Sequence, residues 1–123
     1  MNDKQLLNFV NGQWQRSSAA DYLDVINPAT AQALTKVPLS PGAEINAAVE
    51  AAQTAFVEWR RTPAVERVQH LFKLKRLLDD HKDELARIIT NECGKTFAES
   101  AGELQRGIEN VEVAGGIPSL IQG

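Results

Sequence analysis

Val37-Pro38-Leu39-Ser40-Pro41-Gly42-Ala43-Glu44-Ile45 is where the chain changes its period. The first 40 residues read as strands and turns; beyond them apolar residues recur every three to four positions. Ser40 followed by Pro41 reads as an N-cap and a first helical residue, since proline's fixed φ suits that place and its missing N–H has no partner there anyway. The expected class is α+β: a β arm over residues 1–40, then a helical segment over 41–123, an antiparallel cluster of about four helices.

Upstream, Phe9-Val10-Asn11-Gly12-Gln13-Trp14 signals a hairpin, because Asn-Gly tolerates the two positive φ angles of a type I′ turn. A second strand is expected over 22–26 and its return over 34–39, with Asn27-Pro28-Ala29-Thr30 as a turn between them. Pro38 near the end of the return suits a sheet edge.

Downstream, Ile45, Ala48, Val49, Ala52, Phe56 and Trp59 form one helical stripe. Thr62-Pro63 repeats the start signal. The helix that follows carries Val65, Val68, Leu71, Phe72, Leu74, Leu77 and Leu78. These cover far more than the ~100° apolar arc of a surface helix, so two covering partners are expected. A third helix over 82–92 ends at Gly94, and Thr96 caps a fourth over 97–114 that Gly115-Gly116 and Pro118 stop. Residues 119–123 have no clear period.

The 123 residues make one domain or a piece of one. A net charge of -3, with basic residues dispersed among acids, argues against nucleic acid and anionic membrane as main partners. No apolar run follows Met1-Asn2-Asp3-Lys4-Gln5, so no signal peptide is expected, and none reaches the ~18 residues of a membrane span. A single cysteine cannot make an internal disulfide and fits a cytoplasmic location.

Few residues carry chemistry. Cys93 stands near Lys95, but at a helix C-terminus, whose partial negative charge disfavours a thiolate; a structural role is expected. Gly94-Lys95-Thr96 resembles the tail of a phosphate loop, yet Ile89 stands where its first glycine belongs. No G-x-G-x-x-G occurs, so no dinucleotide fingerprint is present. His70 and His81 lack partners at metal-ligand spacing. In the fourth helix Phe97, Ala101, Leu104, Ile108 and Val111 form a narrow apolar stripe, with Arg106 opposite. Spacing alone makes Arg106 a solvated residue paired with Glu103 or Glu109. Yet Gly102 and Val113 share its face, and Gly102 and Gly107 weaken the helix, as glycines do where something approaches the backbone. An arginine beside such a contact can clamp a carboxylate through two parallel hydrogen bonds. The acids Glu99, Glu103, Glu109 and Glu112 point in several directions and read as solvated.

Taken in order, Phe9 to Trp14, Asn27-Pro28-Ala29-Thr30, Val37-Pro38-Leu39, Phe56-Val57-Glu58-Trp59, Glu92-Cys93-Gly94-Lys95 and Glu99-Ser100-Ala101-Gly102-Glu103 resemble the amino-terminal quarter of the aldehyde dehydrogenase superfamily. Glu103-Leu104-Gln105-Arg106-Gly107-Ile108-Glu109, followed by Gly116-Ile117-Pro118-Ser119-Leu120, is similar to the CoA-acylating methylmalonate-semialdehyde dehydrogenase branch. That branch oxidises malonate or methylmalonate semialdehyde with NAD and CoA, releasing the carboxylate carbon, to give acetyl-CoA or propionyl-CoA. The resemblance makes Arg106 the cation that fixes the substrate carboxylate. It also implies backbone contacts to a monovalent cation at Ile26 and Glu92. Ala31 stands where many relatives have glycine, and Cys93 where asparagine or histidine is usual; Cys93 is not the family's nucleophile.

The same resemblance places the nucleophilic cysteine, the general-base glutamate and the NAD-binding segments after these residues. No catalytic or cofactor-binding residue is therefore expected here, and the chain is expected to be inactive alone, since covalent catalysis needs its nucleophile. Association, as a homo-oligomer or through exposed apolar helix faces, is expected. The alternative is a non-catalytic self-associating or regulatory helical module.

Overall fold

A computed structural model describes residues 5–121 and 123. The chain forms two compact units, Met1–Arg61 and Thr62–Gly123. The first takes in the β arm and the first helix.

In the first unit, β1 (Asn8–Val10) and β2 (Gln13–Gln15) pair antiparallel across Asn11-Gly12. Both turn residues have positive φ, 50° and 75°, as the type I′ turn requires. Phe9 and Trp14 face each other with ring centroids 4.9 Å apart. β3 (Tyr22–Ile26) and β4 (Ala33–Pro38) form the second hairpin, with a register shift between Val25 and Ile26. Its turn is organised by Asn27: the backbone carbonyl accepts from Ala31 N at 2.8 Å, and the side-chain Oδ1 accepts from Ala29 N at 2.9 Å. Gln5 pairs with Lys36 on the outer side of β4.

The helix α1 (Gly42–Trp59) begins one residue later than the spacing predicts. Pro41, extended at φ -66° and ψ 154°, is itself the N-cap, and its carbonyl accepts from Glu44 N at 2.9 Å. Ser40 therefore caps nothing. Its hydroxyl accepts from Asn8 Nδ2 at 2.7 Å and lies 3.3 Å from Ser17 Oγ. Glu44, in the first turn of α1, gathers the arm: it accepts from Ser17 Oγ at 2.7 Å, Ser18 N at 2.6 Å and Ser18 Oγ at 2.7 Å. The Ser18 backbone N–H, then the two hydroxyls, hold this carboxyl at about 2, far below its ordinary 4.5. The helix N-terminus favours the same negative charge.

In the second unit, α2 (Ala64–Asp80), α3 (Lys82–Cys93) and α4 (Phe97–Gly115) cluster, with α4 packed on both others. Pro63, not Thr62, is the N-cap of α2 for the same reason as at Pro41. α3 ends where Gly94 turns left-handed at φ 69°. Thr96 caps α4 in a reciprocal box: its hydroxyl accepts from Glu99 N, and Glu99 accepts from Thr96 N. Gly115 brings α4 close to α2; a Cβ there would lie 2.9 Å from the Phe72 ring. Pro118, expected only to stop the chain's helices, sits in the first turn of a short α5 (Ile117–Leu120), where proline is compatible with helix. The wide arc of α2 is covered on one side: Val68 is buried, while Val65, Phe72, Leu74 and Leu77 stay exposed.

Two outcomes test this account. Ala31 has φ 57°, a left-handed conformation that costs an L-residue about 1–2 kcal/mol. Glycine escapes that cost but loses more entropy on folding, so Ala31→Gly is expected to stabilise the chain by about 0.5–1 kcal/mol in urea unfolding. Because folding lowers the Glu44 carboxyl, its contribution is complete above pH 4.5 and is lost as pH falls toward 2. The stability difference between the wild-type chain and Glu44→Gln is expected to shrink across that window; a constant difference contradicts it.

Candidate functional site

The candidate site is the outer face of α4, and its orientation follows from what the inner face buries. Ile108 and Ser100 are both 0% exposed. Ala101, Leu104 and Val111 lie half-buried beside them, so the predicted stripe is the packed one except for Phe97, which is exposed. Ser100 is small enough to sit against α3, where its Oγ accepts from Thr90 Oγ1 at 2.9 Å. Lys75 Nζ of α2 reaches Glu112 at 3.2 Å as well as Asp79 at 2.7 Å, and Lys82 Nζ of α3 donates to Gln105 Oε1. Contacts from two helices thus fix the rotation of α4. Arg106 is two residues from Ile108, about 200° around the helix, and is exposed.

The acids expected to pair with Arg106 are engaged elsewhere. Lys95, from the turn before α4, donates to Glu103 Oε2 in an ion pair. Gln105 Nε2 donates to Glu109 Oε1 at 3.3 Å. Among the described residues no hydrogen bond or ion pair reaches Arg106, although its field is felt at both Lys95 and Glu103. The Lys95 hydrogen bond, then its charge, holds the Glu103 carboxyl below the usual range, and Glu103 in turn pushes Lys95 up. The expectation from spacing, a solvated Arg106 neutralised by its own helix, is therefore corrected in its pairing. A Cβ at Gly102 or Gly107 would meet nothing within 4 Å, and Val113 is 70% exposed. Among the described residues nothing approaches the backbone at these two glycines.

The other residues singled out belong to several different elements. Cys93 is a free, exposed thiol at the last position of α3. His81 links α2 to α3, with Nδ1 2.9 Å from Glu84 Oε2, and His70 lies exposed on α2. Ile26 ends β3 in the first unit, and Glu92 lies in the last turn of α3 in the second. The Glu92 carbonyl is among the four that a helix end leaves without an i+4 partner. Among the described residues no three His, Cys, Asp or Glu side chains could hold a metal ion. Among the described residues no helix is long and apolar enough to cross a membrane. Sequence spacing missed the Lys95–Glu103 and Lys82–Gln105 contacts; the available signal was a lysine just before each helix of the α3–α4 pair or at its first position.

Residues 14–123 match the model of the aldehyde dehydrogenase family. Malonate-semialdehyde dehydrogenase 1 of Shouchella clausii (strain KSM-K16) is 49% identical over 120 residues, 98% of this chain and 24% of that protein. A methylmalonate-semialdehyde dehydrogenase from Oceanimonas doudoroffii superposes with a TM-score of 0.89 at 40% identity, over 95% of this chain and 24% of its own. An NAD complex from Sinorhizobium meliloti 1021, assigned to methylmalonate-semialdehyde dehydrogenase, gives a TM-score of 0.90 at 33% identity over 96% and 24%. The chain thus spans about a quarter of the length of the relatives it matches.

Proposed function

The chain belongs to the aldehyde dehydrogenase family, and from that premise we propose that it supplies the substrate-clamping amino-terminal quarter of an NAD-dependent, CoA-acylating malonate- or methylmalonate-semialdehyde dehydrogenase of the cytoplasm. One observation carries the reading: Arg106 is exposed and without an ion-pair partner among the described residues, on a face that two glycines leave open. Both substrates carry a carboxylate at the end opposite the reacting aldehyde. A planar guanidinium binds such a group through two parallel hydrogen bonds and so orients the aldehyde carbon. Identity to semialdehyde dehydrogenases supports the same substrate class.

The sequence has no G-x-G-x-x-G fingerprint of its own. NAD, CoA, the nucleophilic cysteine and the general base are assigned to the remainder of the enzyme, and the 123 residues alone are inactive in this reading.

A second reading, a self-associating module, is favoured by the apolar faces left open: on α1, Ile45 is 56%, Phe56 56% and Trp59 43% exposed. Light scattering of the purified chain is expected to give a mass above 13.5 kDa; a strict monomer removes this reading.

The clamp is tested by placing residues 1–123 in a malonate-semialdehyde dehydrogenase in place of its matching quarter. Arg106→Gln is expected to raise KM for malonate semialdehyde about ten- to a hundredfold, the value of a charge-assisted bidentate contact. KM for propionaldehyde, which has no carboxylate, should stay unchanged. Equal effects on both aldehydes, or none on either, overturn the assignment.

A further inference from the structure

We propose that Lys95 is a positioning residue for Arg106: by holding Glu103, it keeps the neighbouring guanidinium free for an incoming carboxylate. The inference rests on the reading of Arg106 as the substrate clamp and adds the device that keeps the clamp open.

The problem is built into α4. Glu103 and Arg106 are three residues apart, the spacing at which opposite charges meet on a helix. Long side chains on a helix lean toward its N-terminus, so Arg106 leans back over Glu103. An Arg–Glu pair there would cancel the charge that a substrate needs. The structure gives Glu103 to Lys95 instead, which comes from the turn between Gly94 and the Thr96 cap. That turn is doubly fixed, by the left-handed Gly94 before it and the Thr96–Glu99 box after it. Lys95 is thereby delivered to one place, beside Glu103.

Counting charge gives the same answer without reference to rotamers. Lys95, Glu103 and Arg106 sum to one positive charge, and with Glu103 hydrogen-bonded to Lys95 that charge resides on Arg106. Without Lys95 the sum is zero. Without both Lys95 and Glu103 it is one again. The second acid, Glu109, is drawn off in parallel: Gln105, anchored by Lys82, donates to it. Glu103 and Lys95 are both more than two-fifths exposed, so their pair is a bias on Arg106 rather than a lock.

The test uses the same full-length enzyme carrying residues 1–123. Lys95→Gln is expected to raise KM for malonate semialdehyde about two- to fivefold, the range of an exposed ion pair, with kcat affected less. Adding Glu103→Gln to Lys95→Gln is expected to restore KM. A purely structural role for Lys95 would lower kcat and stability and would not be rescued by removing an acid. Lys95→Gln without effect on KM, or a double variant as impaired as the single one, overturns the inference. The clamp reading fails separately, through an Arg106→Gln variant with unchanged KM. If the full-length protein proves inactive, NMR titration of the Glu103 carboxyl in the 123-residue chain decides. It should stay below the ordinary range in Lys95→Gln, because Arg106 takes over, and return to it only when Arg106→Gln is added. A return in Lys95→Gln alone overturns the inference.

Discussion

The burial of Ser100 and Ile108 on one side of α4 is the constraint on which the reading of the second unit depends. Once those two side chains are inside, the rotation of the helix is set, and every other residue on it has its direction. Ser100 does this by being small and by hydrogen-bonding Thr90; Ile108 does it by apolar burial. Turning α4 to bury Arg106 would expose Ile108 and place an unpaired guanidinium in the core, both costly. The outward direction of Arg106 is therefore a consequence of packing, independent of any ligand.

Polar contacts then refine what packing has set. Lys75 ties α2 to Glu112, Lys82 ties α3 to Gln105, and Lys95 ties the connecting turn to Glu103. Each is an exposed or half-exposed contact of small energetic value. Their common effect is on the distribution of charge along α4: three of its polar side chains are drawn to lysines, and its one arginine is not. The first unit uses a parallel device. Glu44 collects the hydroxyls and backbone of Ser17 and Ser18, fastening an arm with little core of its own to the start of α1. Apolar side chains on α1 and α2 remain exposed.

What was legible in the sequence was local. Asn11-Gly12, Gly94 and Thr96 each determine a turn or cap within four residues, and the structure has all three; Glu99, which reads as a solvated acid, instead closes the Thr96 cap. The stripe of α4 was legible because its period is that of a helix, and it carried the direction of Arg106 with it. Proline misled twice. Ser40 and Thr62 fit the N-cap pattern, but the proline after each is extended and takes the cap itself. The short α5 was hidden for the opposite reason, since Pro118 reads as a stop although it is at home in a first turn. The partners of Glu44, Glu103 and Gln105 were not legible. They lie 8 to 27 residues away, and no period announces which of several acids a lysine or serine will meet.

The central claim is that α4 presents a free guanidinium to a carboxylate. A crystal structure of a full-length enzyme carrying these residues, grown with malonate, tests it most directly. The account predicts a malonate carboxylate on the Arg106 guanidinium, with Lys95 still on Glu103. Arg106 paired with Glu103 or Glu109, and malonate bound elsewhere, would contradict it.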